Sequence, residues 1–278
     1  MAFSQLKSRV LVALIAGPVV ILAVYFGRWA NLILFLGISV ISMVEFFKMS
    51  QTKGTFPMVW LSVLAGIGIM LDAYFAAFAH VLPILAGFLV MAGILELWRM
   101  EGSRFHNLGV SFLGVGYIGL LLSYFVAIRE LPPSLGVPYR QGGIWALTIL
   151  LCFWIGDSAA YFLGSSLGKH KLASRVSPKK TVEGAVAGFL AMMLVALVSK
   201  WWFVPEWTWL DAAIVGGLCG TVGQLSDLVE SQFKRDAGVK DSSNLLPGHG
   251  GLFDRFDVLF LTSPVIYYFL RYFSSLAR

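Results

Sequence analysis

Apolar residues in this chain come in long blocks. They show neither the alternation of a half-buried strand nor the narrow stripe of a water-soluble helix. Nine blocks can be drawn, at roughly 9–26, 30–47, 57–77, 80–98, 108–128, 143–166, 182–203, 208–232 and 256–274. Each is on the order of 20 residues, the length at which an α-helix crosses the hydrocarbon of a bilayer. The pattern predicts an all-α fold, a polytopic membrane bundle of about nine transmembrane helices. The first block is too long for the apolar part of a cleaved signal peptide and lacks a small-residue cleavage site. It is predicted to be a span that also starts insertion.

Composition agrees. Of 278 residues, 58% are hydrophobic and 13% charged, where a soluble domain is nearer half apolar and one quarter charged. No polar stretch is long enough for a separate soluble domain, so any site must be built from helix ends and short loops. Charge sets the predicted orientation. With the N-terminus in the cytoplasm, fifteen of the 21 Lys and Arg face inward and six outward, the usual bias. The C-terminus is then outside. The net charge of +6 reads as a topology signal. A basic inner face also attracts anionic lipid head groups, and nothing calls for nucleic acid. Cys152 and Cys219 fall inside spans and read as packing residues.

The chain has two halves. Residues 1–130 hold spans one to five and little intramembrane polarity. Residues 131–278 hold spans six to nine, with cytoplasmic loops 167–182 and 233–255, and nearly all of it. In the first half, Glu45 and Lys48 end span two, and Glu96 and Arg99 end span four. Both pairs read as helix-end ion pairs, with a repeat of two hairpins as the alternative.

Four polar constellations could carry chemistry. In span six, Asp157 and Tyr161 share a helical face beside the Gly156, Ala160 and Gly164 ridge. An ionisable group at that depth marks function by default, the alternative being a structural pair. In the next loop, Lys179 and Lys180 precede Thr181, a predicted N-cap, and Glu183 in the first turn. Basic residues before a helix N-terminus suit phosphate, although a positive-inside loop also explains them. In span eight, Gln224, Asp227, Ser231 and Lys234 recur at helical spacing. A carboxylate and a hydroxyl one turn apart suit Mg²⁺, which takes few protein ligands; a polar face along a crevice is the alternative.

The fourth constellation is the stretch from Ser231 to Asp257. It gathers Lys234, Arg235, Lys240 and Arg255 with Asp236, Asp241, Asp254 and Asp257 around Pro247-Gly248-His249-Gly250-Gly251. The glycines suit an anion nest. His249 would contact phosphate, move a proton or serve only loop geometry. Asp254 and Asp257 suit the helix dipole and would also hold metal facing Asp227.

The run Ser231-x-x-Lys-Arg, then Lys240-Asp241, then Pro247-Gly-His-Gly-Gly, then Asp254-Arg-x-Asp257 resembles the signature of the phosphatidate cytidylyltransferases, also called CDP-diacylglycerol synthases. Asp157-x-x-Ala-Tyr-x-x-Gly164 and Ser177-Pro-x-Lys-Thr-x-Glu-Gly184 also look like that family. The resemblance implies that CTP and phosphatidate give CDP-diacylglycerol and pyrophosphate with Mg²⁺. It implies a two-metal centre on Asp227 and Asp254, with Asp257 beside it and a second cation such as K⁺. Ser231, Lys234, Arg235 and His249 join the catalytic set. Lys179, Lys180, Lys240, Asp241, Gly248, Gly250, Gly251, Arg255, Asp157 and Glu183 join the substrate-binding set. The partners implied are CTP, phosphatidate and membrane lipid, with a homodimer expected. The place implied is a bacterial inner membrane, the active site facing the cytoplasm.

Two rivals come from other classes. An ion-coupled transporter would use Asp157 and Asp227 as ion sites, but the polar groups cluster at one membrane face. A polyprenol kinase or a CDP-alcohol phosphotransferase would also handle lipid phosphates. The Asp-x-x-Asp-Gly run of the phosphotransferases is absent here.

Overall fold

Each predicted block coincides with a helix in the computed structural model, which describes residues 2–245 and 250–277, with side chains from residue 14 onward. The helices are α1 (Ala2–Phe26), α2 (Arg28–Gln51), α3 (Val59–Ala76), α4 (Val81–Glu96) and α5 (Arg104–Glu130). They continue with α6 (Tyr139–Leu167), α7 (Val182–Trp202), α8 (Trp209–Asp236) and α9 (Phe253–Tyr268). Among the described residues, α2, α3, α5, α6, α7 and α8 are the six long and apolar enough to cross a membrane. Apolar side chains such as Trp60, Leu82, Leu190 and Leu194 stand exposed on their surfaces, a surface that lipid covers and water would not tolerate.

The loop between α6 and α7 is not irregular. Its strands β1 (Lys171–Ala173) and β2 (Ser177–Thr181) pair antiparallel. Thr181 then caps α7, its Oγ1 accepting Gly184 N–H at 3.2 Å, as its position before an apolar run predicts. Helices α6 and α7 pack through small residues. A Cβ on Gly188 would lie 3.2 Å from Ala160 Cβ and from Gly156 O, and one on Gly184 would lie 2.8 Å from Ala160 O. Side chains there would push the helices apart.

Two long helices contain π turns, at Val115–Leu120 in α5 and Cys219–Gly223 in α8, and a third, Phe269–Phe273, extends α9. Each inserts a residue and so turns the helical face that follows it. The turn in α8 lies just before Gln224 and Asp227.

Arg129 directly follows the predicted span 108–128, where the charge pattern puts an outward loop cation, yet it is 1% exposed. It donates to the carbonyls of Val24, Tyr25 and Tyr139 and so satisfies the open C-terminal end of α1. Gly27 adopts φ +68°, and a Cβ there would strike the guanidinium. Beneath the predicted cytoplasmic end, Phe46, Tyr117, Phe233, Phe253 and Phe260 form an aromatic cluster, with Phe46 and Phe233 centroids 5.6 Å apart.

Candidate active site

Two cavities meet at Asp157. The smaller, about 510 Å³, lies between α6, the β-hairpin, α7 and α8. Lys179, Lys180, Tyr161, Gln224 and Asp227 supply its polar groups. The larger, about 820 Å³, runs between α1, α2, α6 and α9. Its walls are apolar, from Val20, Ile33, Ile38 and Phe153 among others, and its polar groups are Asp157, Asp254, Arg255 and Asp257.

The β-hairpin delivers Lys180 to α8, where its ammonium pairs directly with Asp227. Ser231, one turn on, lies with Oγ 3.4 Å from Asp227 Oδ1. Gln224 turns away to bond the carbonyls of Ala185 and Gly220, which fixes α8 to α7.

Asp227, Glu230 and Asp257 each offer a carboxylate oxygen within 4.8 Å of the other two. Glu230 is fully buried. Lys234 Nζ approaches Glu230 Oε2 at 2.8 Å, out of line for a hydrogen bond, and Glu230 Oε1 has no partner among the described residues. Sequence reasoning passed over Glu230; an acid three residues after Asp227 on the same helix was the available signal.

Asp254 is not one of that trio but adjoins Glu230. It accepts from Lys234 Nζ at 2.9 Å, from Gly251 N–H at 2.8 Å, and from both the N–H and the hydroxyl of Ser242. So many donors suit an ionised carboxylate. Lys234 therefore bridges Asp254 to Glu230. Of the three expected metal ligands, Asp227 and Asp257 converge with Glu230, while Asp254 lies beside Glu230, with Lys234 touching both.

The other expected residues divide. Arg255 is exposed at the end of the large cavity. Arg235 bonds the carbonyls of Val176 and Val239, tying α8 to the β-hairpin. Lys240 and Asp241 are exposed on the following loop. Gly250 has φ +80°, and a Cβ there would strike the Asp254 carboxylate; only glycine fits. Glu183 holds His170 through its N–H and its ring, Nδ1 at 2.7 Å, and lines neither cavity. Gly248 and His249 lie outside the described residues.

Glu96 does pair with Arg99, at 3.3 Å. Glu45 makes no ion pair with Lys48 among the described residues. It faces Ser242, Ser243, Leu252 and Phe253 instead. A buried acid takes the nearest satisfying donors, and here those come from a loop nearly 200 positions away.

Residues 7–273 match a model of the cytidylyltransferase family. The chain is 34% identical to a phosphatidate cytidylyltransferase of Synechocystis over 88% of each protein. It is 31% identical to one of Bacillus subtilis over 97% of this chain and 99% of the relative. It is 33% identical to one of Staphylococcus epidermidis over 94% and 97% respectively.

Proposed function

The chain belongs to the cytidylyltransferase family, and from that premise we infer that it is a nucleotidyltransferase joining CTP to phosphatidate. A phosphatidate oxygen attacks the α-phosphorus of CTP. The bond from that phosphorus to its bridging oxygen breaks, giving CDP-diacylglycerol and pyrophosphate.

One observation carries the assignment of substrates to places: a smaller cavity lined by Lys179 and Lys180 and a larger apolar one share Asp157, with the acidic trio beside it. The nucleotide occupies the smaller cavity, where Lys179 and Lys180 meet its phosphates. The lipid enters the larger one from the side, tails against the apolar walls and head group beside Arg255. Its phosphate is already an anion near neutral pH, so no strong base is required. Positioning and electrostatics carry the step.

The residues fit a divalent cation. At the head-group end Asp157, Asp254 and Asp257 outnumber Arg255 and the Lys234 ammonium that Asp254 holds, a balance that favours a bound cation before phosphate. Glu230 Oε1 is buried with no hydrogen-bond donor among the described residues. Asp227, Glu230 and Asp257 would hold Mg²⁺, and Asp254 a second cation such as K⁺. Bound there, Mg²⁺ would neutralise charge developing on the leaving pyrophosphate.

Nine crossings with a cytoplasmic N-terminus put both cavities' polar ends on the inner side of a bacterial cell membrane. Support comes from the nine helical segments among the described residues and from the Lys and Arg bias.

The test uses purified protein in mixed micelles with phosphatidate, Mg²⁺ and labelled CTP. Label at the α-phosphate should enter the lipid phase with equal pyrophosphate released. Transfer of γ-label instead would make the protein a lipid kinase, and no transfer from either would return the transporter reading.

A further inference from the structure

Glu45 lies near the end of α2, remote in sequence from every motif, and is 4% exposed. Burying a carboxylate is costly unless donors surround it. Three do outright, Ser243 Oγ at 2.6 Å, Phe253 N–H at 2.8 Å and Leu252 N–H at 3.3 Å, and a fourth, Ser242 Oγ at 3.2 Å, divides its one proton between Glu45 and Asp254. Two come from one flank of the active-site loop and two from the other.

The N–H groups of Leu252 and Phe253 belong to the start of α9, where backbone donors lack intrahelical acceptors. A carboxylate there also suits the helix dipole. Glu45 is therefore the N-terminal cap of α9, supplied by a different helix. Its neighbour Phe46 packs on Phe253 with centroids 5.9 Å apart, seating α2 on the same helix end. Gly251 leaves room for the contact, since a Cβ there would strike both Ser242 Oγ and Glu45 Oε2. The Ser242 hydroxyl also lies 3.0 Å from Asp254 Oδ2. One serine thus stands between the Glu45 and Asp254 carboxylates.

We propose that Glu45 is a positioning residue for the active site: by capping α9 and holding both flanks of the 242–253 segment, it sets where Asp254 and Arg255 stand. This rests on the cytidylyl-transfer reading above. Glu45 touches no substrate in this scheme; it acts through the loop.

The test compares full-length Glu45→Gln and Glu45→Asp with wild type, measured below the melting temperature of each. Gln keeps the size but turns an amide N–H₂ group towards donors. The expected result for Glu45→Gln is a loss of about tenfold or more in kcat/KM for phosphatidate, with partial recovery in Glu45→Asp. Amide exchange at Leu252 and Phe253 should accelerate by about tenfold or more, while exchange along α6 and α7 stays unchanged. Wild-type values for either readout in Glu45→Gln overturn the proposal. If Glu45→Gln gives no folded protein, Glu45→Asp decides by the same exchange readout: intermediate acceleration supports the cap and wild-type protection removes it. Wild-type protein inactive towards CTP and phosphatidate would sink the enzymatic reading and the positioning role with it, leaving the exchange arm to judge the cap alone.

Discussion

Lys180 and Asp227, 47 positions apart, form a direct ion pair beside the smaller cavity. The ammonium expected to meet phosphate is thus held by a carboxylate expected to meet metal.

Asp227→Asn removes a proposed metal ligand and the partner of Lys180 at once. Turnover should fall by about 10³-fold or more with membrane insertion intact. Label transfer from α-labelled CTP measures it, and a wild-type rate at saturating Mg²⁺ would remove Asp227 from the metal site.

Lys180→Met leaves the acidic trio in place but takes a cation from the cavity proposed for the nucleotide. The KM for CTP should rise about tenfold, roughly 1.4 kcal/mol, with the KM for phosphatidate little changed. Initial rates over both substrates decide. A selective effect on phosphatidate instead would exchange the two cavity assignments.

Lys234 sits between fully buried Glu230 and Asp254. Removing one partner of a buried pair costs roughly 3–5 kcal/mol, because the remaining charge is left uncompensated. Lys234→Met should therefore lower the melting temperature in detergent markedly. Adding Glu230→Gln should return part of the loss. Equal melting temperatures for the single and double variants would show that the two groups are not coupled.

Gly37 lines the large cavity, and a Cβ there meets nothing within 4 Å among the described residues. Gly37→Leu should fold normally and fill part of the groove. The KM for long-chain phosphatidate should rise several-fold, about 1 kcal/mol or more by the overfilling of a packed apolar site, with the KM for CTP unaffected. A substrate with short acyl chains should feel less. Equal effects on both lipids would argue against acyl chains lying there.

The helices were legible in the sequence because their cause is local. Unbroken apolar blocks of bilayer length need no partner to be recognised, and Thr181 announces the start of α7 by residue type and position alone. The second half's polar motifs likewise pointed to the candidate site, since charge in so apolar a chain has few other uses. Convergence is not local. Helical spacing placed Asp227, Ser231 and Lys234 on one stripe, but folding sends Lys234 to Glu230 and Asp254. It draws Asp257 rather than Asp254 to Asp227. Arg129 looked like a loop cation and is buried at the end of α1. Glu45 looked like the partner of Lys48 and caps α9. In each case a buried charge is satisfied by whichever donors or acceptors the packed helices bring within about 3 Å, and those come from distant parts of the chain. Local pattern therefore determined the helices and pointed to the candidate site, and only the packing of α2, α8 and α9 decided which charged groups meet.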